Sequence, residues 1–300
     1  MYDVIICGSG PAGMSAALFL RRANLNILIV EKGTPGGKLI STALIENYPG
    51  YIVNTGIDLA MIMYRQVKHF KIPYAFSEVM KIEKLGDEHF VVHTKEGDYE
   101  SKMVIWAAGT IAKQIEAEGE EEYVGRGISY CAICDGSFHE KQNVVVIGGG
   151  NSAIEEALYL AKICKKVTII TRGHHFRADP VLMEKVMRAN NVDLVTHHVI
   201  TKFTGKDLLE QVTAKDRDSD NEIVLNVRGA FIYVGFTPSS TLLENFDILD
   251  EDKYIIVDRN CETKVTGLYA AGDCIQKNIR QIATAVADGI TCASAIVRKI

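Results

Sequence analysis

The fold is decided by a stretch of sequence that occurs twice. Residues 3–32 read "DVIICGSGPAGMSAALFLRRANLNILIVEK", and residues 143–172 read "NVVVIGGGNSAIEEALYLAKICKKVTIITR". The copies align without a gap, so that Gly8 pairs with Gly148 and Gly10 with Gly150. Each copy predicts a buried strand, a glycine turn, an amphipathic helix and a second strand. This is a βαβ unit, and its crossover should be right-handed.

The glycines of these turns are typical of dinucleotide binding. The first glycine permits the tight turn, the second lets the backbone approach a pyrophosphate, and a small third residue lets helix and strand pack closely. The third position holds Gly13 in the first copy and Ala153 in the second. The helix N-terminus then offers free N–H groups to the phosphates. The alternative is that a glycine turn serves packing alone, and this interpretation has more weight for the second copy than for the first.

The two copies differ at the end of their second strand. In the first, Glu31 stands where a carboxylate accepts a hydrogen bond from a ribose 2′-hydroxyl, which favours FAD or NAD. The second has Thr171 followed by Arg172. Without a carboxylate, NAD is disfavoured, which leaves a 2′-phosphate held by arginine or no nucleotide at all.

A cysteine pair precedes the second copy, in "GRGISYCAICDGSF". Cys131 and Cys134 have the C-x-x-C spacing that lets two thiols bond and separate within one helical turn, where a helix N-terminus lowers a thiol's pKa. Asp135 follows directly and can carry a proton. A zinc half-site and inert cysteines are the alternatives, but no second pair of ligands has a suitable spacing. We therefore expect a redox-active pair and no metal.

Composition excludes several classes of function. A net charge of -5 gives no basic face for nucleic acid or anionic lipid. No apolar run is long enough for a membrane helix. The first predicted strand begins at Tyr2, which leaves no room for a signal peptide. The other five of the seven cysteines are scattered, which is typical of a reduced compartment. We expect a cytoplasmic protein.

Several stretches together resemble the low-molecular-weight flavin-dependent thioredoxin reductases over essentially the whole chain. They are "GSGPAGMSAA", "GGKLISTALIENYPG", "GRGISYCAICDG", "GGGNSAIEEALYL", "FIYVGFTP" and "GLYAAGDC…RQIATAVADG". The resemblance implies an α/β protein with two Rossmann-like nucleotide-binding domains, the second inserted into the first. The FAD domain would be residues 1–113 and 239–300, and the pyridine-nucleotide domain 114–238. Each is expected to be an open sheet flanked by helices. The resemblance also implies a homodimer, a large rotation between domains during turnover and a thioredoxin-like protein as partner.

The resemblance further implies roles for individual residues. Cys134 would face the flavin, Cys131 would attack the substrate disulfide, and Asp135 would be the acid/base. The FAD-binding set falls into four groups: Gly8, Ser9, Gly10, Ala12 and Gly13 at the pyrophosphate, with Glu31 on the ribose; Gly37, Lys38, Leu39 and Asn47 at the flavin; Gly272 and Asp273 at the ribityl–phosphate region; and Arg280, Gln281 and Ile282 over the flavin edge.

The chain also departs from the family pattern. Lys38 replaces the usual glutamine, and it either shifts the flavin potential or reaches solvent. In the stretch "ITRGHHFRAD", two of the family's three arginines remain, since Gly173 stands where the middle one is expected. The lost contact to a 2′-phosphate is worth about 1.5–3 kcal/mol. The weakened NADPH set would be Gly148, Gly150, Asn151, Arg172 and Arg177.

We therefore expect an FAD-dependent thioredoxin reductase, and the sequence leaves more than one electron donor open. Reduced ferredoxin or another non-NADPH donor is slightly favoured over NADPH. A flavin dithiol oxidase that uses oxygen and a flavoprotein retained for binding or redox sensing are the remaining alternatives.

Overall fold

The computed structural model describes residues 1–42, 45–52 and 55–300, and these form two compact units. Unit 1 comprises Met1–Ile40, Ile45–Ile111 and Thr237–Ile300. Unit 2 comprises Ala112–Phe236, with Ser41 and Thr42 grouped with it. The quoted stretch "GGKLISTALIENYPG" includes residues 43 and 44, which lie outside the described residues.

Unit 1 is built on a seven-stranded mixed sheet. Its strands are β1 (Tyr2–Cys7), β2 (Ile27–Glu31), β3 (Tyr74–Phe76), β4 (Val79–Gly86), β5 (His89–Thr94), β6 (Gly97–Trp106) and β17 (Leu268–Ala270), and its α-helices are α1 (Pro11–Arg22), α2 (Gly56–His69) and α7 (Ile282–Lys299). The strands β3, β2, β1 and β6 run parallel in that order, and β17 is parallel to β6. β5 and β4 continue the sheet antiparallel to β6. The unit also contains a 3₁₀ turn at Thr241–Phe246 and all but the last residue of another at Gly37–Ser41.

Unit 2 also contains parallel and antiparallel strands, but here they form two separate sheets. Its parallel sheet has the order β11 (Val192–Val195), β10 (Lys166–Ile170), β9 (Asn143–Ile147), β15 (Gly229–Ile232) and β8 (Ile128–Ser129). An antiparallel sheet contains β12 (His198–Gly205), β13 (Leu209–Asp216) and β14 (Glu222–Asn226). The helices are α3 (Glu120–Tyr123), α4 (Ala132–Asp135), α5 (Asn151–Leu160) and α6 (Pro180–Met187), with a 3₁₀ turn at Gly136–His139. β7 (Thr110–Ala112) and β16 (Phe236–Pro238), where the chain passes between the units, form a two-stranded sheet.

The inner parts of two central strands, Val4–Cys7 of β1 and Val144–Ile147 of β9, are entirely apolar because both of their faces are buried. In β9, Val144 and Val146 belong to a core cluster that contains residues of α5. Val145 and Ile147 belong to another cluster, with Phe203 and other residues of the antiparallel sheet. The predicted α/β fold and both βαβ units are confirmed, since β1 and β9 run parallel to β2 and β10. The expectation of flanking helices needs a correction in unit 2, because antiparallel strands cover one face of its parallel sheet.

The longest helix of the described residues, α7, is amphipathic: Ala285, Cys292 and Ile296 are buried, whereas Arg298 and Lys299 are exposed. None of the helices within the described ranges has both the length and the apolar character needed to cross a membrane.

Candidate active site

The first glycine turn connects β1 to α1. Gly8 has a φ of 109°, and a Cβ placed on it would lie 2.4 Å from the carbonyl oxygen of Ala107. Only glycine fits this position. Gly10 is the N-cap of α1, and Pro11 takes the first helical position, where its missing N–H costs nothing. The turn therefore exposes the N-terminus of α1 to a ligand.

Two further glycine segments reach the same helix end. A Cβ on Gly37 would lie 3.3 Å from the Cα atom of Gly10, and one on Gly272 would lie 3.0 Å from the Cβ of Ala12. Backbone thus lines a cradle around the start of α1, as close approach of a pyrophosphate requires. We call Gly8–Gly13, Gly37 and Gly272 the glycine cradle.

Glu31, at the end of β2, lies beside this cradle. Its Oε2 atom accepts a hydrogen bond from the Ser9 backbone N–H at 2.7 Å, and Oε1 accepts one from Gly33 at 2.9 Å. Each carboxylate oxygen has a second lone pair for a ribose hydroxyl. The Ser9 hydroxyl, in contrast, is buried and lies 2.9 Å from the Tyr74 hydroxyl. Burial raises the pKa of Tyr74 to about 12, so this contact stays neutral.

Lys38 and Asp273 form an ion pair, although they are distant in sequence. The Asp273 side chain is only 12% exposed, so Lys38 compensates a largely buried charge. Lys38 thus has a carboxylate partner, although its side chain is still 40% exposed. Arg280 lies over the Tyr254 ring at 3.9 Å, and its Nε donates to the Asp273 carbonyl at 3.2 Å. These contacts fix the segment that follows β17.

The remaining predicted flavin-side residues also come together. Asn47 donates from Nδ2 to Oε1 of Gln281 at 3.1 Å. Gln281 is the N-cap of α7, and Ile282 begins that helix. Leu39 is buried in a small apolar cluster against which Ile282 packs. The first turn of α7 is thereby held beside the segment that carries Lys38 and Leu39.

The redox pair lies at the carboxyl end of β8 in unit 2. Cys131 and Cys134 form a disulfide with a Cα–Cα distance of 5.4 Å. Cys131 is the N-cap of α4, and the Cys134 backbone N–H donates to its sulfur at 3.2 Å. Cys134 is exposed and Cys131 is partly buried. α4 is a single turn, so this direct N–H contact, rather than a long helix, is the feature that would stabilise a thiolate on Cys131.

Two residues beside the disulfide were missed by the sequence reasoning. Ser129 donates from its hydroxyl to Oδ2 of Asp135 at 2.6 Å and accepts from the Cys131 N–H at 3.0 Å. The Tyr233 hydroxyl accepts from the N–H of Ala132 at 2.8 Å. Burial raises the pKa of Tyr233, so its hydroxyl stays protonated. The position of Ser129, two residues before the motif, was the only available signal, and nothing near the motif pointed to Tyr233.

The second glycine turn lies in the same unit, between β9 and α5. Gly148 has a φ of 150°, and a Cβ on it would lie 2.3 Å from the Tyr233 carbonyl oxygen. Gly150 is the N-cap of α5 and has open space around it. Asn151 exchanges two hydrogen bonds with Asp179, at 2.9 and 2.8 Å. Its amide is thus already engaged, and the free backbone of the turn is what remains for phosphate.

Basic residues follow β10 at the ribose end of this turn. Thr171, where a carboxylate would bind a ribose 2′-hydroxyl, is buried, and its hydroxyl faces Gly149. Arg172 and Arg177 are exposed, and the Arg177 N–H donates to the Gly149 carbonyl at 2.6 Å. Nearby, His174, His197 and Asp218 place potential metal-ligand atoms within 4.8 Å of one another. The two rings are stacked at 3.9 Å and nearly parallel, so their lone pairs do not converge, and we assign no metal there.

The fold and the disulfide together define a class: disulfide oxidoreductases with two dinucleotide-type units. A family model described as pyridine nucleotide-disulphide oxidoreductase matches residues 2–289. The chain is 40% identical over 299 residues to the thioredoxin reductase of Bacillus subtilis, which covers 99% of this chain and 94% of that one. Solved thioredoxin reductases from Lactococcus lactis (38% identity, TM-score 0.96, 100% of both chains) and T. acidophilum (34%, 0.94, 99% and 98%) have the same fold. The chain belongs to the thioredoxin reductase family of pyridine nucleotide-disulphide oxidoreductases.

This membership confirms the predicted family and enzyme class. The individual site residues, the electron donor and the oligomeric state stay predictions.

Proposed function

We propose that this chain is an FAD-dependent thioredoxin reductase that acts in the cytoplasm as a homodimer. The observation that carries the proposal is the Cys131–Cys134 disulfide, which is partly exposed and has Asp135 held beside it by Ser129. The five other cysteines are buried and free, which is typical of a reducing compartment. Electrons therefore have one sulfur pair through which to leave.

The residues of unit 1 fit FAD. Three glycine segments bring backbone close to the start of α1, and a Cβ on Gly10 has no protein atom nearer than 4.0 Å, so that side of the turn is open to a ligand. Glu31 keeps lone pairs for ribose hydroxyls. We assign the pyrophosphate to Gly8–Gly13, the ribityl–phosphate region to Gly272 and Asp273, and the flavin ring to the segments that carry Lys38, Leu39, Asn47 and Arg280–Ile282. FAD, when bound, supplies the electron pair that reduces the disulfide. Lys38 balances the charge of Asp273 at this site.

The thiols then pass the electron pair to the protein substrate. The Cys131 thiolate attacks the substrate disulfide, forms a mixed disulfide and displaces one substrate thiolate. Cys134 attacks the Cys131 sulfur, which restores the internal disulfide and releases the second substrate thiolate. The substrate gains two electrons and the cysteine pair loses two. Asp135, oriented by Ser129, delivers a proton to a departing thiolate.

For the electron donor we propose NADPH ahead of reduced ferredoxin, which reverses the slight preference drawn from sequence. The second turn keeps its open Gly150 and the free N-terminus of α5. Arg172 and Arg177 are exposed at the ribose end, and the Arg217 side chain donates to the Arg172 carbonyl. Three guanidinium groups support a phosphorylated ribose. Gly173, which lacks the expected arginine, is the observation that favours ferredoxin.

Anaerobic titration of the oxidised holoenzyme tests the donor and the thiol chemistry together. We expect low micromolar NADPH to bleach the flavin absorbance and to support reduction of a thioredoxin-like protein. Cys131→Ser should still bleach but should not reduce the protein substrate. Bleaching by reduced ferredoxin alone would contradict NADPH as donor and leave the reductase intact. Wild-type rates of substrate reduction in Cys131→Ser would refute the proposed function.

A further inference from the structure

The loop after β10 is joined by a segment from another part of unit 2. Gly173 leaves a gap in the basic side chains of residues 171–179. The turn between β13 and β14 brings Arg217 to this place, where its Nη1 donates to the Arg172 carbonyl at 3.3 Å. Arg217 is distant in sequence, so no local motif indicates this contact.

Backbone contacts hold Arg217 in position. Its N–H donates to the His197 carbonyl at 3.0 Å, and the N–H of His197 donates to the Gly173 carbonyl at 2.9 Å. The His197 ring stacks on His174 at 3.9 Å. The loop after β10 and the segments that carry His197 and Arg217 are therefore joined at Gly173 and at the residues on either side of it.

The acidic neighbours of Arg217 already have partners. Asp218 Oδ2 lies 2.8 Å from the Nε2 atom of His197, and Asp220 pairs with Lys215 at 2.6 Å. Asp216 accepts from the N–H groups of Asp218 and Ser219, each at 2.9 Å. Hydrogen bonds to these N–H groups lower the pKa of Asp216, so its charge is satisfied within the turn.

The arginines, in contrast, are not neutralised. Within the described part of the chain, Arg172, Arg177 and Arg217 form no ion pair with a carboxylate. Three guanidinium groups thus remain available at the end of the second strand of a βαβ unit. In such units this is the place of the adenosine ribose, and arginine there accommodates a 2′-phosphate. Guanidinium binds phosphate oxygens through paired, charge-assisted hydrogen bonds.

We propose that Arg217 is a specificity-determining residue that binds the 2′-phosphate of NADPH together with Arg172 and Arg177. It takes the place of the arginine missing at Gly173. The inference rests on the proposed function, of which it names the determinant of nucleotide choice. Arg217 reaches the site from the β13–β14 turn rather than from the loop itself.

The test uses the full-length, FAD-loaded protein and two probes, 2′,5′-ADP and 5′-AMP, in phosphate-free buffer. Calorimetry on the wild type should show tighter binding of 2′,5′-ADP. Arg217→Gln should weaken that binding about ten- to a hundredfold, since one charge-assisted contact to a dianion is lost. Binding of 5′-AMP should not change. Arg188→Gln is the matched control, because Arg188 is an exposed arginine of the same unit paired with Glu184.

A rescue variant separates a direct contact from an indirect one. A Cβ on Gly173 would have the His175 carbonyl oxygen at 3.2 Å as its nearest neighbour, so only a small adjustment is needed. The double variant Gly173→Arg/Arg217→Gln should bind 2′,5′-ADP at least tenfold more tightly than Arg217→Gln alone. Unchanged 2′,5′-ADP binding in Arg217→Gln, or equal binding of both probes by the wild type, would overturn the inference. Failure of the dithionite-reduced wild type to reduce thioredoxin would instead contradict the proposed function.

Discussion

Substitution of Gly10 by alanine should affect FAD binding much more than folding. It has φ -80° and ψ -175°, which alanine adopts readily, and the nearest atom to a Cβ placed on it is the Gly37 Cα at 4.0 Å. Alanine is a poorer N-cap than glycine by roughly 0.5–1 kcal/mol. It also reduces the entropy of the unfolded chain, which contributes about 0.4–1 kcal/mol in the opposite direction. We therefore expect the free energy of unfolding of the FAD-free Gly10→Ala protein to lie within about 1 kcal/mol of the wild-type value.

FAD binding should respond very differently to the same methyl group. The added carbon would stand between the backbone and the pyrophosphate in the glycine cradle. Loss of one charge-assisted hydrogen bond costs about 1.5–3 kcal/mol, which is roughly ten- to a hundredfold in affinity. Quenching of flavin fluorescence on titration into the FAD-free protein measures this change.

Gly13→Ala provides the contrast, because a Cβ on Gly13 would lie 2.0 Å from the Gly8 carbonyl oxygen. Alanine there should destabilise the fold itself, by several kcal/mol in urea unfolding of the FAD-free protein. The reasoning is refuted if Gly10→Ala binds FAD like the wild type, or if it unfolds as readily as Gly13→Ala.

Three further predictions concern other parts of the molecule. Iodoacetamide at pH 8 should label no cysteine of the oxidised native protein and two after reduction, because the other five cysteines are buried and burial also raises the pKa of the Cys164 thiol to about 11; mass spectrometry showing a third label would contradict this. Asp288→Asn should lower the free energy of unfolding in urea by about 3 kcal/mol, since it strands the largely buried Lys277 and weakens the hydrogen bond from the Gly272 N–H; a wild-type urea midpoint would show that the pair is not stabilising. Gly150→Ala should leave FAD binding and dithionite reduction unchanged and weaken reduction by NADPH at least tenfold, which stopped-flow absorbance measures; unaltered NADPH kinetics would remove the second turn from the donor site.

Much of the fold was predictable from sequence because local signals and global fold agree. A βαβ unit is specified by the apolar run before Gly8, the glycine turn and the amphipathic helix. The same pattern around Gly148 specifies the second unit. The antiparallel strands on one face of the unit 2 sheet were not predicted. Residues such as Phe203 and Val212 alternate weakly along β12 and β13, and their pattern does not reveal which sheet they cover.

The site could be predicted where chemistry is local in sequence. The disulfide and Asp135 lie within five consecutive residues, and Glu31 follows its strand directly. Contacts that join distant segments could not be predicted, because one sequence gives no register between them. The ion pair of Lys38 with Asp273, the contact of Tyr233 with Ala132 and the placement of Arg217 are of this kind.

The central claim is that electrons leave this protein through the Cys131–Cys134 pair. An anaerobic dithionite titration of the holoenzyme, followed by flavin absorbance and thiol counting, measures how many electrons one chain accepts. The account predicts about four in the wild type, two for the flavin and two for the disulfide, and about two in the double variant Cys131→Ser/Cys134→Ser. Equal uptake by both proteins would contradict it.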